Sequence, residues 1–355
     1  MSEIPERRGA RAAVLIILVA LTALVAPACR PVEEAAEAPP VAATPTRHAK
    51  PSGRRPGVVN IDTEQGLNST TAAGTGIVLD PSGFVLTNNH VIQGATSIKG
   101  TDTDNRRGYP AQVVGYDRAG DIAVIRLTGA TGLKPAAFGD ASTVRVGDPV
   151  TAVGNAGGKG GTPTVVTGRV ISLGQAVTAR DESDGTSERL TGLIETSAPI
   201  RPGDSGGPLL DAGGRVIGIN TAASGGTEMR RKGARRGYAI PSGRALEIAR
   251  QIQRGQASRT VHIGPTALLG VKVRGAGGTA GALVAEVVPG TPADAAGVPV
   301  GVVIVSLGGS PVDSPATLTD LMLSHHPGDT VRIEWTTPQG ARQYSDLHLT
   351  SGPPQ

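Results

Sequence analysis

Between about residues 57 and 241 the apolar stretches are short and are closed within a few residues by Gly, Pro or Asp. A chain punctuated this way cannot run through long helices; it must turn back on itself repeatedly as short strands. Gly74–Asp80 (GTGIVLD), the turn Pro81-Ser82-Gly83 and Phe84–Thr87 (FVLT) form a hairpin pattern. Further strands are expected at Ala111–Tyr116, Ile122–Leu127, Val150–Val153, Thr167–Leu173, Gly192–Thr196 and Arg215–Asn220. With 51 Gly, 27 Pro and only 2% aromatic residues, the core must be built from Val, Ile, Leu and Ala, which suits an all-β barrel or a pair of barrels. Ser242–Gln253 (SGRALEIARQIQ) breaks the pattern: Ala245, Ile248 and Ile252 recur at helical spacing, so an amphipathic helix is expected there.

The 355 residues are long enough for two folded units. The second, from Val261 to about Ser351, has expected strands at Leu268–Val273, Ala282–Val288, Val302–Leu307 and Val331–Thr336, and a short helix at Pro315–Ser324. At the N-terminus, Arg7, Arg8 and Arg11 precede the uncharged apolar run Ala12–Ala26 and the small-x-small pattern Ala26-Pro27-Ala28, the layout of an export signal over residues 1–29. The single cysteine, Cys29, excludes an internal disulfide. Its position leaves open a lipidated Cys, a cleaved leader, or a retained single-pass anchor. Residues 30–56 are rich in Pro, Ala and charge and poor in large apolar side chains, a composition that favours an extended linker.

The chemistry concentrates at Arg201–Leu210 (RPGDSGGPLL). A nucleophilic Ser205 needs a base, a group that orients the base, and donors for a developing oxyanion. His90 follows the strand FVLT directly, where a side chain can project into a cleft. Asp121 leads into the apolar strand IAVIRL; its competitor Asp117 lies in the turn YDRAG. Gly203 has no side chain, so its N–H can stand beside that of Ser205, and Gly206 and Gly207 allow the tight turn. Gly154–Gly161 (GNAGGKGG) lacks the phosphate-loop spacing, and the His residues are not at metal-ligand spacing, so neither a nucleotide nor a metal is expected and no cofactor is implied. A net charge of +4 does not call for nucleic acid. The basic run Met229–Gly237 reads as a solvated loop.

TNNHV, DIAVIRL and PGDSGGPLL, in this order, resemble the HtrA/DegP type of trypsin-like serine proteases, as do GTGIVLDPSGFVLTNNHVI, VTAVGNAGG, VTGRVISLG, ETSAPIRPGDSGGPLLDAGGRVIGINTA and GYAIPSGRA. The resemblance implies an all-β chymotrypsin-like double β-barrel over residues 57–258 and a small α+β PDZ domain over 259–355. It implies a serine-type endopeptidase with His90 as general base, Asp121 as its orienter, Ser205 as nucleophile and the N–H groups of Gly203 and Ser205 as oxyanion hole. One residue departs from the type: Asp204 stands where Asn is usual. By the same resemblance Pro199 and Ile200 line the base of the S1 pocket and Ile219, Asn220 and Thr221 a wall, so a small or medium apolar P1 residue is expected. In the PDZ unit Leu268, Leu269, Gly270 and Val271 would form the carboxylate-binding loop, and Leu318, Leu321 and Met322 would line a groove for C-terminal peptides. The implied partners are polypeptide substrates, with a homotrimer as the type's frequent assembly. The competing functional class is a catalytically silent or resting chaperone or peptide-binding scaffold.

Overall fold

The computed structural model describes residues 57–66, 70–180, 187–221 and 236–355. The expected signal, linker and Cys29 lie outside them, as does most of the basic run. Among the described residues no helix is long and apolar enough to cross a membrane.

Six strands open the fold: β1 (Val58–Gln65), β2 (Thr70–Val78), β3 (Phe84–Thr87), β4 (Ser97–Asp102), β5 (Gly108–Asp117) and β6 (Ile122–Leu127). They are ordered β5-β4-β1-β2-β3-β6, and a β5–β6 pairing closes the ring. All are antiparallel, with Val85 opposite Ile125 and Val59 opposite Gly76. Alternate side chains turn inward, and Val59, Ile61, Val85, Ile125 and Leu127 form a buried core. The second barrel closes β10-β11-β12-β9-β8-β7, from β7 (Pro149–Gly154), β8 (Thr164–Arg180), β9 (Ser187–Thr196), β10 (Pro208–Leu210), β11 (Val216–Thr221) and β12 (Gly237–Pro241). Strand β8 runs seven residues past the expected Leu173, because its pairing with β9 continues outward as far as Arg180 opposite Ser187.

Helix α1 (Asn89–Ile92) is a single turn after β3, and α2 (Ser242–Gln253) forms over the span its periodicity predicts. Ala245, Ile248, Ala249 and Ile252 turn the buried face of α2 into the core shared by Leu86, Val124 and Ile219. Strand β13 (Val261–Ile263), which the sequence places in the second unit, adds instead to the first barrel, with His262 opposite Tyr116. Its three residues carry no periodicity that could assign them.

In the second unit β14 (Thr266–Leu268) pairs with β21 (Thr350–Gly352). A separate sheet runs β15 (Val271–Ala276), β16 (Thr279–Val287), β17 (Val303–Leu307), β19 (Thr330–Thr336) and β20 (Arg342–His348), with β18 (Ser310–Pro311) beside β17. The helices are α3 (Pro292–Ala295) and α4 (Pro315–Met322), the latter capped by Ser314. The single strand expected at Leu268–Val273 is broken at Gly270, which takes φ +90° and lies so close to Thr291 that a Cβ would meet its Oγ1 at 2.0 Å.

Candidate active site

His90 is carried by α1, which Val91 and Ile92 anchor in the first barrel's core. Gly74 leaves the space: a Cβ there would lie 2.5 Å from Cγ1 of Val91. Asp121 stands just before β6, after a turn closed by its own N–H to the carbonyl oxygen of Arg118 at 3.1 Å. Asp117 shapes that turn, its carboxylate accepting from the N–H of Gly120 at 3.0 Å, while burial pushes its pKa up.

The Asp121 carboxylate is buried, with its side chain 4% exposed, and faces the 41% exposed side chain of His90. Nδ1 of His90 lies 2.9 Å from Oδ1 and 3.0 Å from Oδ2. An ionised carboxylate only accepts, so this contact assigns the ring proton to Nδ1 and leaves Nε2 as the acceptor. The backbone N–H of His90 donates to Oδ1 at 3.1 Å, and Oγ1 of Thr221 donates to Oδ2 at 3.2 Å.

Ser205 sits in the turn between β9 and β10. Its geometry follows from the two glycines: Gly203 has φ +95° and Gly206 φ +82°. The N–H of Asp204 donates to Arg201 and that of Gly207 to Asp204, at 2.9 and 3.0 Å. The turn is clamped from the other barrel. Thr75 donates through its N–H to the Ser205 carbonyl oxygen at 2.8 Å and through Oγ1 to that of Gly203 at 2.7 Å. The N–H of Gly206 donates to Asn220 at 2.8 Å, one residue before Thr221. A Cβ on Gly206 would lie 2.0 Å from the Thr75 carbonyl oxygen. Strands β2 and β11 therefore tie the Ser205 turn to the elements that hold His90 and Asp121. The carbonyl oxygen of Pro202 accepts from Gly157 at 2.8 Å, which turns the Gly203 N–H the opposite way across its trans peptide.

Asp204 is 3% exposed. Its Oδ2 accepts from the backbone N–H of Arg201 at 2.9 Å, while Oδ1 is buried without a hydrogen-bond partner among the described residues. Burial is the largest influence on this carboxyl and pushes its pKa up, against the Arg201 N–H and charge that lower it. The carboxyl rests on Gly154, where a Cβ would come within 2.6 Å of Oδ1. The glycine-rich segment Gly154–Gly161 thus makes room for this turn: Asn155 takes a bond from Gly160 on Oδ1 and donates through its own N–H to Thr75.

Pro199 and Ile200 are half-buried at the entrance to the turn, and Ile200 occupies the space that Gly237 leaves by lacking a Cβ. The other expected pocket side chains are engaged elsewhere. Ile219 is fully buried in the barrel core, Asn220 donates to the carbonyl oxygens of Val153 and Pro208, and Thr221 holds Asp121. Strand β11 is buried along its whole length, so the side chains on both of its faces are packed. In the second unit Leu269, Leu318 and Met322 are core residues, while Leu268, Val271 and Leu321 are half-buried at its margin. Nearby on β9, Glu195 is buried and paired with Arg236 at 2.6 Å; burial raises its pKa, but bonds from Ser172 and Arg236 outweigh that and hold it low. Among the described residues no acidic, His or Cys cluster could hold a metal ion.

Residues 74–219 match the model of the trypsin-like peptidase domain, and residues 267–336 that of the PDZ domain. The chain is HtrA-like: a trypsin-type peptidase domain followed by one PDZ domain. It is 36% identical over 307 residues to the serine protease PepD of Mycobacterium tuberculosis, covering 83% of this chain and 64% of PepD. It is 37% identical over 279 residues to the periplasmic pH-dependent serine endoprotease DegQ of Escherichia coli, covering 73% of this chain and 55% of DegQ. The HtrA-like chain thus spans roughly three-fifths of the length of these relatives. A solved HtrA-type protease, AlgW with a tripeptide, is 30% identical and covers 87% of this chain and 98% of its own, with a TM-score of 0.48.

Sequence reasoning missed Thr75, Asn88 and Asn155 as partners of the site, and gave Thr221 a pocket wall rather than its bond to Asp121. A threonine within a strand is ordinary, so Thr75 and Thr221 send no signal of their own. The one cue the sequence offered for Asn88 is its place in the polar pair that directly follows the apolar strand FVLT.

Proposed function

We propose that this HtrA-like chain is an extracytoplasmic serine endopeptidase that cleaves unfolded or specific proteins through an acyl-enzyme. The observation that carries the reading is the Asp121 carboxylate seated on Nδ1 of His90, which leaves Nε2 to act as base. In the proposed reaction Oγ of Ser205 attacks the scissile carbonyl as Nε2 takes its proton. The C–N bond then breaks, with the same proton passing to the leaving amine. Water, deprotonated by Nε2, releases the acyl group and restores Ser205. The N–H groups of Gly203 and Ser205 receive the oxyanion. Asp121 keeps the imidazole in its working tautomer and steadies the imidazolium.

Pro199 and Ile200 form the floor of the S1 pocket, with the β11 backbone as its wall. Neither floor residue carries charge, which favours a small or medium apolar P1 side chain over Lys or Arg. The PDZ unit, by its loop at Leu268–Val271, recruits peptide C-termini. The export-type leader and relatives named as periplasmic support a location outside the cytoplasm. The test is casein and a P1-varied peptide library, with Ser205→Ala beside the parent. Hydrolysis after Val, Ala or Leu that disappears in Ser205→Ala is the expected result. Equal activity in both proteins overturns the peptidase reading, and cleavage confined to Lys or Arg overturns the pocket.

A further inference from the structure

His90 and Asp121 stand on different elements, and their contact depends on a backbone conformation that side chains rarely adopt. Asp121 has φ +52°, one of two described non-glycine residues at positive φ, the other being Arg106. Such a conformation persists only where its surroundings hold it. The carbonyl oxygen of Asp121 accepts from Nδ2 of Asn88 at 2.8 Å, and Asn88 is fully buried. Asn88 is also the N-cap of α1, with extended φ and ψ. An Asn there ordinarily accepts a bond from an N–H of the first helical turn. Asn88 makes no such bond. The N–H of His90, in that first turn, donates to Oδ1 of Asp121 instead, at 3.1 Å. The two residues have exchanged tasks: the Asp121 carboxylate caps the helix that carries His90, and the Asn88 amide grips the Asp121 backbone. Oδ1 of Asn88 is buried without a partner among the described residues, so the amide sits here for its donor end.

We infer that Asn88 is a positioning residue, which holds the Asp121 main chain in the left-handed conformation that aims its carboxylate at Nδ1 of His90. Without the amide donor, the Asp121 carbonyl oxygen is left buried and unpaired. Turning that peptide toward a partner swings the carboxylate with it. Asn89 is the natural control: it is equally buried, but its Nδ2 donates to the carbonyl oxygen of Gln355 at 3.1 Å.

The inference rests on the peptidase reading for its kinetic arm only. In the full chain carrying Ser205→Ala and labelled with ¹⁵N-histidine, the His90 Nδ1–H proton gives a far-downfield resonance. Asn88→Ala and Asn88→Asp are expected to move or abolish it, and Asn89→Ala to leave it in place. In the chain with Ser205 intact, the two Asn88 variants are expected to lose about 10²-fold in kcat with KM unchanged, as for a small misplacement of a reacting group. An unmoved resonance in both Asn88 variants overturns the inference. So does the same change in Asn89→Ala, or loss of the folded state in both Asn88 variants, since each makes the role one of packing. If the parent chain hydrolyses no casein, the peptidase reading falls while the resonance still decides for or against Asn88.

Discussion

Asp204 shows what one buried group contributes to the turn that carries Ser205. Its two oxygens are unequal: Oδ2 closes the turn on Arg201, and Oδ1 faces protein with no partner among the described residues. The Arg201 charge lowers the Asp204 pKa, but the bond present is to the Arg201 backbone N–H. Because burial raises the folded-state pKa, the native protein holds this proton more tightly than the unfolded chain. The resulting penalty is absent below the ordinary value of 3.8 and complete once pH exceeds the raised folded value. An asparagine in its place keeps the shape and removes the charge. The Asp204→Asn protein should therefore melt above the parent at pH 8, by about 2–4 °C for each kcal/mol relieved, and the gap should close toward pH 4. Thermal unfolding across that range checks it; a gap that widens on acidification contradicts the assignment. His90 and Asp121 were legible as residues because each adjoins a recognisable strand, and Ser205 because it stands in the motif RPGDSGGPLL. The bonds of Thr75, Asn88 and Thr221 were not, since each spans barrels or elements far apart in the chain.

At the scale of elements, a single helical turn places His90. Helix α1 is too short to hold itself, so its position comes from Val91 and Ile92 buried in the first barrel. Ile92→Ala should cost about 2–5 kcal/mol in denaturant unfolding and lower turnover beyond the loss of folded protein, because the cavity lies two residues from His90. A variant as stable as the parent would show that α1 is held by its hydrogen bonds alone. Eight of the twelve barrel strands were readable from alternation and turn residues, and α2 from its 3.6-residue period, whereas β1, β4, β10 and β12 were not among the strands expected. Strand β13 and the break at Gly270 were not readable either: the first is decided by a free edge on β5, the second by the proximity of Thr291.

Across the whole molecule the PDZ unit is joined to the first barrel at several points. Leu323 packs against the barrel core and its carbonyl oxygen lies 2.8 Å from Nδ1 of His262 on β13, which sits against the ring of Tyr116. Pro353 and Pro354 are both buried. The N–H of Gly94, just past α1, donates to the carbonyl oxygen of Pro354 at 2.8 Å, and the N–H of Gln355 donates to the Tyr116 hydroxyl at 3.2 Å. Deleting residues 353–355 should speed amide exchange at Gly94 and across α1 while leaving β15–β20 unchanged. Equal exchange at Gly94 in both proteins would show that the tail rests on the barrel without supporting it.

The sequence by itself determined an all-β barrel fold followed by a second, smaller unit, the helix at Ser242–Gln253 and the three residues proposed for the chemistry, while the resemblance of its motifs implied two barrels and a PDZ domain. Those depend on local periods, turn residues and motifs that lie within a few positions of one another. Only the tertiary structure decided that β13 adds to the first barrel, that the side chains of Ile219, Asn220 and Thr221 are taken up by packing and hydrogen bonds, and that Asn88 and Asp121 exchange roles at α1. These follow from which edges and buried polar groups meet after folding, and the hydrogen bond that satisfies a buried group can come from any part of the chain.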